Sequence, residues 1–260
     1  MALPVVLLHG IRLSGRCWVS VEADIGTERP VVTPDLPGHG ARRGERFTMP
    51  AAIDTVRAAI DGVGGRALVV GHSLGGHVAI AASAELGERV AGLVAAGSTR
   101  IPNSALTIPF RIAHLVLSTQ RDGGERLSRR LFDATLPAQV AAAVAAGGIA
   151  TEVIPDIAKA AADFDPLGEL RRYSGPVWLI NGSRDHFRGH EQRFVAASPG
   201  ARLLVVPRAG HYLPLAEPQR FARLIRDIAD GCDARRDLRE CSHCSGIDGA
   251  RPVAPPAASS

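Results

Sequence analysis

Ala67-Leu68-Val69-Val70-Gly71-His72-Ser73-Leu74-Gly75-Gly76 decides how the rest of the chain is read. Residues 67–70 are apolar and β-branched enough for a buried strand, and residues 74–86 follow as a helix. Between them stands G-x-S-x-G, the pattern of a serine held at a sharp strand-to-helix turn. The spacing has a physical reason. Gly71 and Gly75 remove side chains that would collide at such a turn. The start of the helix then offers the Leu74 N–H and a dipole that favours negative charge. A Gly-rich turn of no chemical consequence is the competing reading, and the strand before and helix after weigh against it.

Working outward, short apolar runs recur at 5–8, 31–33, 90–95, 177–180 and 203–206. Each is bounded by Gly, Pro or Asp, and each is apolar throughout, as strands covered on both faces of a parallel sheet are. Helical stretches at 49–62, 190–197 and 215–228 alternate with them. The expected fold class is therefore α/β, a doubly wound and mostly parallel sheet of about six strands. Residues 98–173 break the alternation and are too long for a simple connection, so they are expected to form a helical cap inserted into the core. The core is then expected over 1–97 and 174–230. Residues 231–260, poor in apolar side chains and ending in a Pro/Ala/Ser run, are expected to be a disordered tail.

An elbow serine needs a base and an acid to orient it. His211, in Ala209-Gly210-His211, follows the last strand and would lie at the same sheet edge as Ser73. Asp185, in Asn181-Gly182-Ser183-Arg184-Asp185, follows the strand at 177–180. Asp163 and Asp165 compete for the acid's place but precede a strand and would fall at the opposite edge. The order Ser73, Asp185, His211 suits a catalytic triad on this topology. The first strand ends in Leu8-His9-Gly10-Ile11, where Gly10 allows a tight turn. Ile11 N–H and Leu74 N–H are the expected oxyanion donors. His9, Trp18 and His72 are candidate substrate contacts, with core packing the favoured reading for Trp18 and a pocket wall its alternative. His77, one turn into the elbow helix, reads as a packing or surface residue.

Over residues 4 to 229 the chain resembles the α/β-hydrolase superfamily. The likeness rests on Leu8-His9-Gly10, Asp35-Leu36-Pro37-Gly38-His39-Gly40, the Gly71 to Gly76 elbow, Asn181 to Asp185 and Gly210-His211. It implies a fold that here lacks the family's first two strands, a helical cap, and a serine hydrolase acting on an ester, thioester or lactone. The Asp35 to Gly40 turn reads as structural, with a pocket wall as the alternative. Ser73 rather than Asp at the elbow argues against epoxide hydrolase or dehalogenase chemistry. A narrower similarity, in Gly182-Ser183-Arg184-Asp185, Phe187-Arg188 and Pro207 to His211, is to the menaquinone-pathway succinyl-cyclohexene-carboxylate synthases. They use the triad as a base for elimination. A lyase is therefore a second expectation, and a ligand receptor with a retained triad a third.

The composition narrows the partners. The 260 residues carry a formal charge of +4, with 46% hydrophobic and 22% charged residues, which suits a globular chain with a sizeable core. The 30 cations are scattered arginines apart from Lys159, not the clustered patch of a nucleic-acid binder. Arg100, Arg111, Arg121, Arg126, Arg129 and Arg130 do gather at the start of the cap, against Asp122 and Glu125. They read either as an anion-binding wall or as a solvated helix face. A small-molecule substrate of anionic character is the expected partner, with no nucleic acid, no membrane and no cofactor. No apolar run approaches the ~18 residues of a membrane span. The start of the chain has no signal-peptide pattern, so a cytoplasmic, reduced protein is expected. Cys232, Cys241, His243 and Cys244 have part of a zinc-site spacing, but their flanks argue against a metal.

Overall fold

A computed structural model describes residues 2–102, 115, 119–120 and 122–244, with side chains through Arg235. Six parallel strands form one sheet in the order β2-β1-β3-β4-β5-β6. They are β1 Val5–Leu8, β2 Val31–Val32, β3 Ala67–His72, β4 Val90–Ala96, β5 Val177–Gly182 and β6 Arg202–Val206. Helices on the core are α1 Val19–Ile25, α2 Met49–Gly62 and α3 Leu74–Leu86, with α4 Glu125–Thr135, α5 Ala138–Gly147, α6 Ile154–Ala162 and α7 Pro166–Arg172 between β4 and β5. After β5 come α8 Glu191–Ala197, α9 Leu213–Ala216 and α10 Pro218–Cys244.

The uninterrupted apolarity of β1 and β4, and of the opening residues of β3 and β5, follows from covering on both faces. Val5 and Leu7 point into one core, Val6 and Leu8 into the other; Leu68 and Val70 divide from Ala67 and Val69 in the same way. The first core holds α1, α10, α4 and α5, and the second holds α2, α3, α7 and α8. α3 is apolar nearly all round because it is buried nearly all round. The chain lays β1 and β2 to one side, then crosses to β3 and proceeds to β6. β1 and β3 therefore flank the point where the winding reverses, and a crevice opens beyond their carboxyl ends.

Two expected boundaries move. The insertion at 98–173 ends in α7, which packs on the elbow helix rather than over the sheet. Its carboxylate Asp165, earlier a competing triad acid, caps this helix by accepting the Leu167 N–H at 3.1 Å. Residues 103–114, 116–118 and 121, Arg111 and Arg121 among them, lie outside the described residues. The second change is at the end of the core. α10 runs through residue 230, where a disordered tail was expected to begin. Cys232 is buried in the first core. Asp233 accepts the Leu3 N–H at 3.1 Å and pairs with Arg29 at 3.0 Å, and Asp230 also pairs with Arg29. The apolar signal fades here because, beside the single buried Cys232, the residues that tie this part of the helix to the core are the charged Asp230 and Asp233. Residues 245–260 lie outside the described residues.

The Arg29 guanidinium is buried and also donates to the Leu3 carbonyl at 3.1 Å. Arg29→Leu leaves these acceptors without their donor and is expected to cost about 2 kcal/mol of unfolding free energy. Urea denaturation of the two proteins measures it, and equal midpoints would contradict it.

Candidate active site

Ser73 sits between β3 and α3 with φ 55° and ψ −115°, a strained conformation for a residue with a side chain. The glycines of the motif explain how the turn closes. A Cβ on Gly71 would lie 2.0 Å from the Gly75 carbonyl oxygen, and one on Gly75 would lie 2.3 Å from the Leu8 carbonyl oxygen. Ser73 N–H donates to the Ala96 carbonyl at 2.8 Å, fixing the elbow to β4. Ser98 Oγ lies 2.9 Å from the Ser73 carbonyl oxygen and fixes the other side of the residue.

The chain brings the three expected residues together from three strand ends. His211 Nε2 lies 3.1 Å from Ser73 Oγ, and His211 Nδ1 lies 3.1 Å from each carboxylate oxygen of Asp185. Asp185 is buried. Burial alone would raise its carboxyl pKa. The hydrogen bond and charge of His211, with the Phe187 N–H at 2.7 Å, outweigh burial and hold it below the ordinary range. Gly97, at φ 61°, gives this pair its space, since a Cβ there would stand 3.0 Å from His211 Nδ1 and 3.1 Å from Asp185 Oδ2. The cleft over Ser73 is lined by Ile11, Leu74, Gly97, Ser98 and Phe187 on the core side, and by Ile154 and Ile157 of α6 on the other.

The three expected substrate contacts are elsewhere. Trp18 is fully buried and stacks on Phe221 at 5.9 Å between ring centroids, so its bulk serves the first core. His9 and His72 are buried behind the turn and clamp backbone. His9 Nε2 accepts the Leu36 N–H at 3.0 Å, which leaves Nδ1 to donate to the Gly10 carbonyl at 2.9 Å. His39 repeats the arrangement, accepting from Arg12 N–H at 3.1 Å and donating to the Pro37 carbonyl at 2.9 Å. The two rings meet edge to face at 4.8 Å. Ile11 is thus flanked by a pinned carbonyl and a pinned N–H. In a trans peptide the Ile11 N–H points opposite the Gly10 carbonyl, so fixing one aims the other. His72 Nε2 donates to the His211 carbonyl at 2.9 Å and supports that residue's backbone.

Three residues lining the cleft were not among the expected contacts. His77 was read as packing or surface, yet it lines the cleft with Ser73. Its signal was the four-residue interval, which places both positions on one face of a helix. Phe187 stands 4.6 Å from the His211 ring. Among the described residues of the cap arginine group, Arg100 lines the cleft, whereas Arg126, Arg129 and Arg130 are exposed on α4. Among the described residues no cluster of His, Cys, Asp and Glu is arranged to hold a metal ion, and no helix is long and apolar enough to cross a membrane.

Comparison with known proteins bears on this arrangement. The model of the alpha/beta hydrolase family matches residues 5–224. The chain belongs to the alpha/beta hydrolase family. A pimeloyl-[acyl-carrier protein] methyl ester esterase of Neisseria meningitidis serogroup C is 28% identical over 242 residues, covering 87% of this chain and 93% of that protein. The protein of the same name from Nitrosomonas europaea is 29% identical over 237 residues, covering 84% and 92%. Among solved structures, a thermophilic esterase from Thermogutta terrifontis superposes with a TM-score of 0.73 at 24% identity, covering 89% of this chain and 91% of that one. At that identity the likeness is one of fold, and it matches the six-stranded parallel sheet with its flanking helices.

The clamping histidines also give the family member an acid-sensitive core. Burial is the largest cause holding His9 and His72 at a pKa of about 3 and His77 at about 4, against an ordinary 6.5. Their folded values lie below the unfolded one, so the unfolded chain binds protons first as pH falls. The stability they contribute is complete above pH 6.5 and is lost progressively below it. Between pH 7 and pH 5 the unfolding free energy is expected to fall by about 2 kcal/mol for each such histidine. Urea titrations at the two pH values followed by tryptophan fluorescence measure this, and a flat profile would refute it.

Proposed function

We propose that the protein is a serine hydrolase that cleaves a carboxylic ester, thioester or lactone of a small molecule through an acyl-enzyme. The carrying observation is the continuous hydrogen-bonded series from Ser73 Oγ through His211 to Asp185, with both links at 3.1 Å, at the floor of a cleft. The names of the esterase relatives support the same reaction class.

In this reading Ser73 Oγ attacks the carbonyl carbon while His211 Nε2 takes the hydroxyl proton. Asp185 holds the imidazole with Nδ1–H toward the carboxylate and stabilises the imidazolium that forms. The Ser73 N–H is committed to Ala96, so the developing oxyanion needs other donors. Leu74 N–H opens α3 beside it, and Ile11 N–H belongs to the peptide held by His9. Donors fixed before the reaction do not need to reorganise as charge develops, and one is worth roughly 3 kcal/mol of barrier. His211 then protonates the departing alcohol, thiol or hydroxyl. Water, deprotonated by the same imidazole, attacks the acyl carbon and frees Ser73.

Ser73→Ala is expected to lower p-nitrophenyl acetate turnover by about 10³-fold or more and to abolish labelling by a fluorophosphonate. Mass spectrometry of the labelled wild type should place the adduct on Ser73. Wild-type turnover in the variant would overturn the assignment, and elimination without any acyl adduct would favour a lyase. Asp185→Asn should keep the fold and lower kcat by about 10²- to 10⁴-fold, because the amide no longer fixes the imidazole tautomer.

A further inference from the structure

Arg100 is among the residues lining the cleft, and the proposed reaction leaves it unused. Ser73 lines the same cleft, and the wall opposite the core is apolar, formed by Ile154, Ile157, Ala158 and Ala161. Arg100 Nε is buried and has no hydrogen-bond partner. His77, buried in the same cleft, is engaged by the Ser98 and Arg100 backbone. The carboxylates around the site are already engaged. Asp185 accepts from His211 and Phe187, and Glu191 accepts from Arg188 at 3.0 Å and from Asn181 at 2.8 Å. Among the described residues Arg100 has no ion pair. An arginine is charged at any ordinary pH, and leaving a buried donor such as its Nε unmatched is costly. A bound ligand group can complete such donors.

Arg100 is also held in place, as a recognition residue has to be. The His190 N–H donates to the Thr99 carbonyl at 3.0 Å, and its Nδ1 accepts the Ile101 N–H at 3.1 Å. One residue thereby grips the chain on both sides of Arg100. Behind it, the buried Thr99 Oγ1 accepts from Asn181 Nδ2 at 2.8 Å, and the same Asn181 amide reaches Glu191. Gly189 lies against the guanidinium, where a Cβ would come within 3.1 Å of Nη1.

We propose that the substrate carries a carboxylate and that Arg100 binds it. This rests on the hydrolase reading above and narrows it from esters in general to esters of anionic character. The carboxylate can belong to the acyl part, as in a half-ester of a dicarboxylic acid, or to the leaving alcohol, as in an acylated hydroxy acid. The pairing is the same in both cases. A charge-assisted contact in a partly dry cleft is worth about 10- to 100-fold in kcat/KM.

The test has two arms. In the first, a pH-stat follows hydrolysis of matched esters: methyl hexanoate against monomethyl adipate for the acyl side, and propyl acetate against 3-acetoxypropanoate for the alcohol side. The wild type is expected to prefer one carboxylate-bearing member by about 10-fold or more, and the preferred pair identifies the side. Arg100→Met should lower that carboxylate-to-neutral ratio by about 10- to 100-fold, mainly through KM, with Arg100→Lys retaining part of it. In the second arm, calorimetry follows binding of succinate, glutarate and adipate to Ser73→Ala, with and without Arg100→Met. Binding of at least one dianion that weakens with the Arg100 change is expected. Equal hydrolysis of neutral and anionic esters, or a preference that survives in Arg100→Met, overturns the proposal and leaves the hydrolase reading standing. Arg100-dependent dianion binding with no ester cleaved leaves the recognition site standing and overturns the hydrolase reading. If Arg100→Met fails to fold, the wild-type ratio and Arg100→Lys decide, since no wild-type preference would by itself refute the proposal.

Discussion

The strained backbone of Ser73 is the constraint from which the rest of the site follows. A residue at φ 55° and ψ −115° costs of order 1–3 kcal/mol and persists only where its surroundings leave it no alternative. Here the Ala96 carbonyl takes its N–H, Ser98 lies against its carbonyl, and the backbones of Gly71, Gly75 and Leu8 meet too closely for any side chain. These partners belong to β1, β3, β4, the loop after β4 and α3. The elbow therefore fixes how near the elbow helix sits to the sheet. It also fixes which strand ends surround the serine, and so which residues can reach it.

A second layer surrounds this turn, made of histidines kept neutral by burial. His9 and His39 each use one nitrogen as acceptor and the other as donor to backbone, and His72 holds the carbonyl of His211. Imidazole suits this task because it offers a donor and an acceptor on opposite sides of a rigid ring. The same chemistry appears in His211, but there one nitrogen faces a carboxylate and the other a hydroxyl. The difference between a clamp and a base is thus one of partners. A pinned Gly10 carbonyl and a pinned Arg12 N–H leave the peptide between them little freedom to turn away from the cleft.

Much of this was legible in the chain. The alternation of apolar runs marked all six strands: β1, β3, β4 and β5 are buried on both faces and so stay apolar, while the edge strands β2 and β6 were marked by short β-branched or apolar runs although they are only half-buried or partly exposed. Ser73, Asp185 and His211 were legible because each follows a strand, and parallel strands deliver their following loops to one edge. His9 and His72 were candidates for the pocket because they adjoin the catalytic segments, whereas core packing was the favoured reading for Trp18, which lies in the core. Being next to a catalytic segment does not tell whether a side chain points to the cleft or to the core. His77 went the other way, since its four-residue spacing from Ser73 put it on the cleft side of α3. Of the cap arginines, one-dimensional clustering could not separate Arg100 from Arg126, Arg129 and Arg130, which the fold sends to the surface.

By itself, then, the sequence determined the fold class, the strand-to-helix turn at Ser73 and the identity of the three polar residues that meet there. Those properties depend on local spacing and on solvent exclusion averaged over whole elements, and both are written in residue order. Only the tertiary structure decided that His9, His39 and His72 grip backbone, that α10 continues beyond residue 230 with Asp230 and Asp233 paired to Arg29, and that Arg100 lines the cleft. Each of those facts concerns which partners a polar group finds. Polar partners are set by distances of about 3 Å between segments far apart in the chain, and no local pattern encodes them.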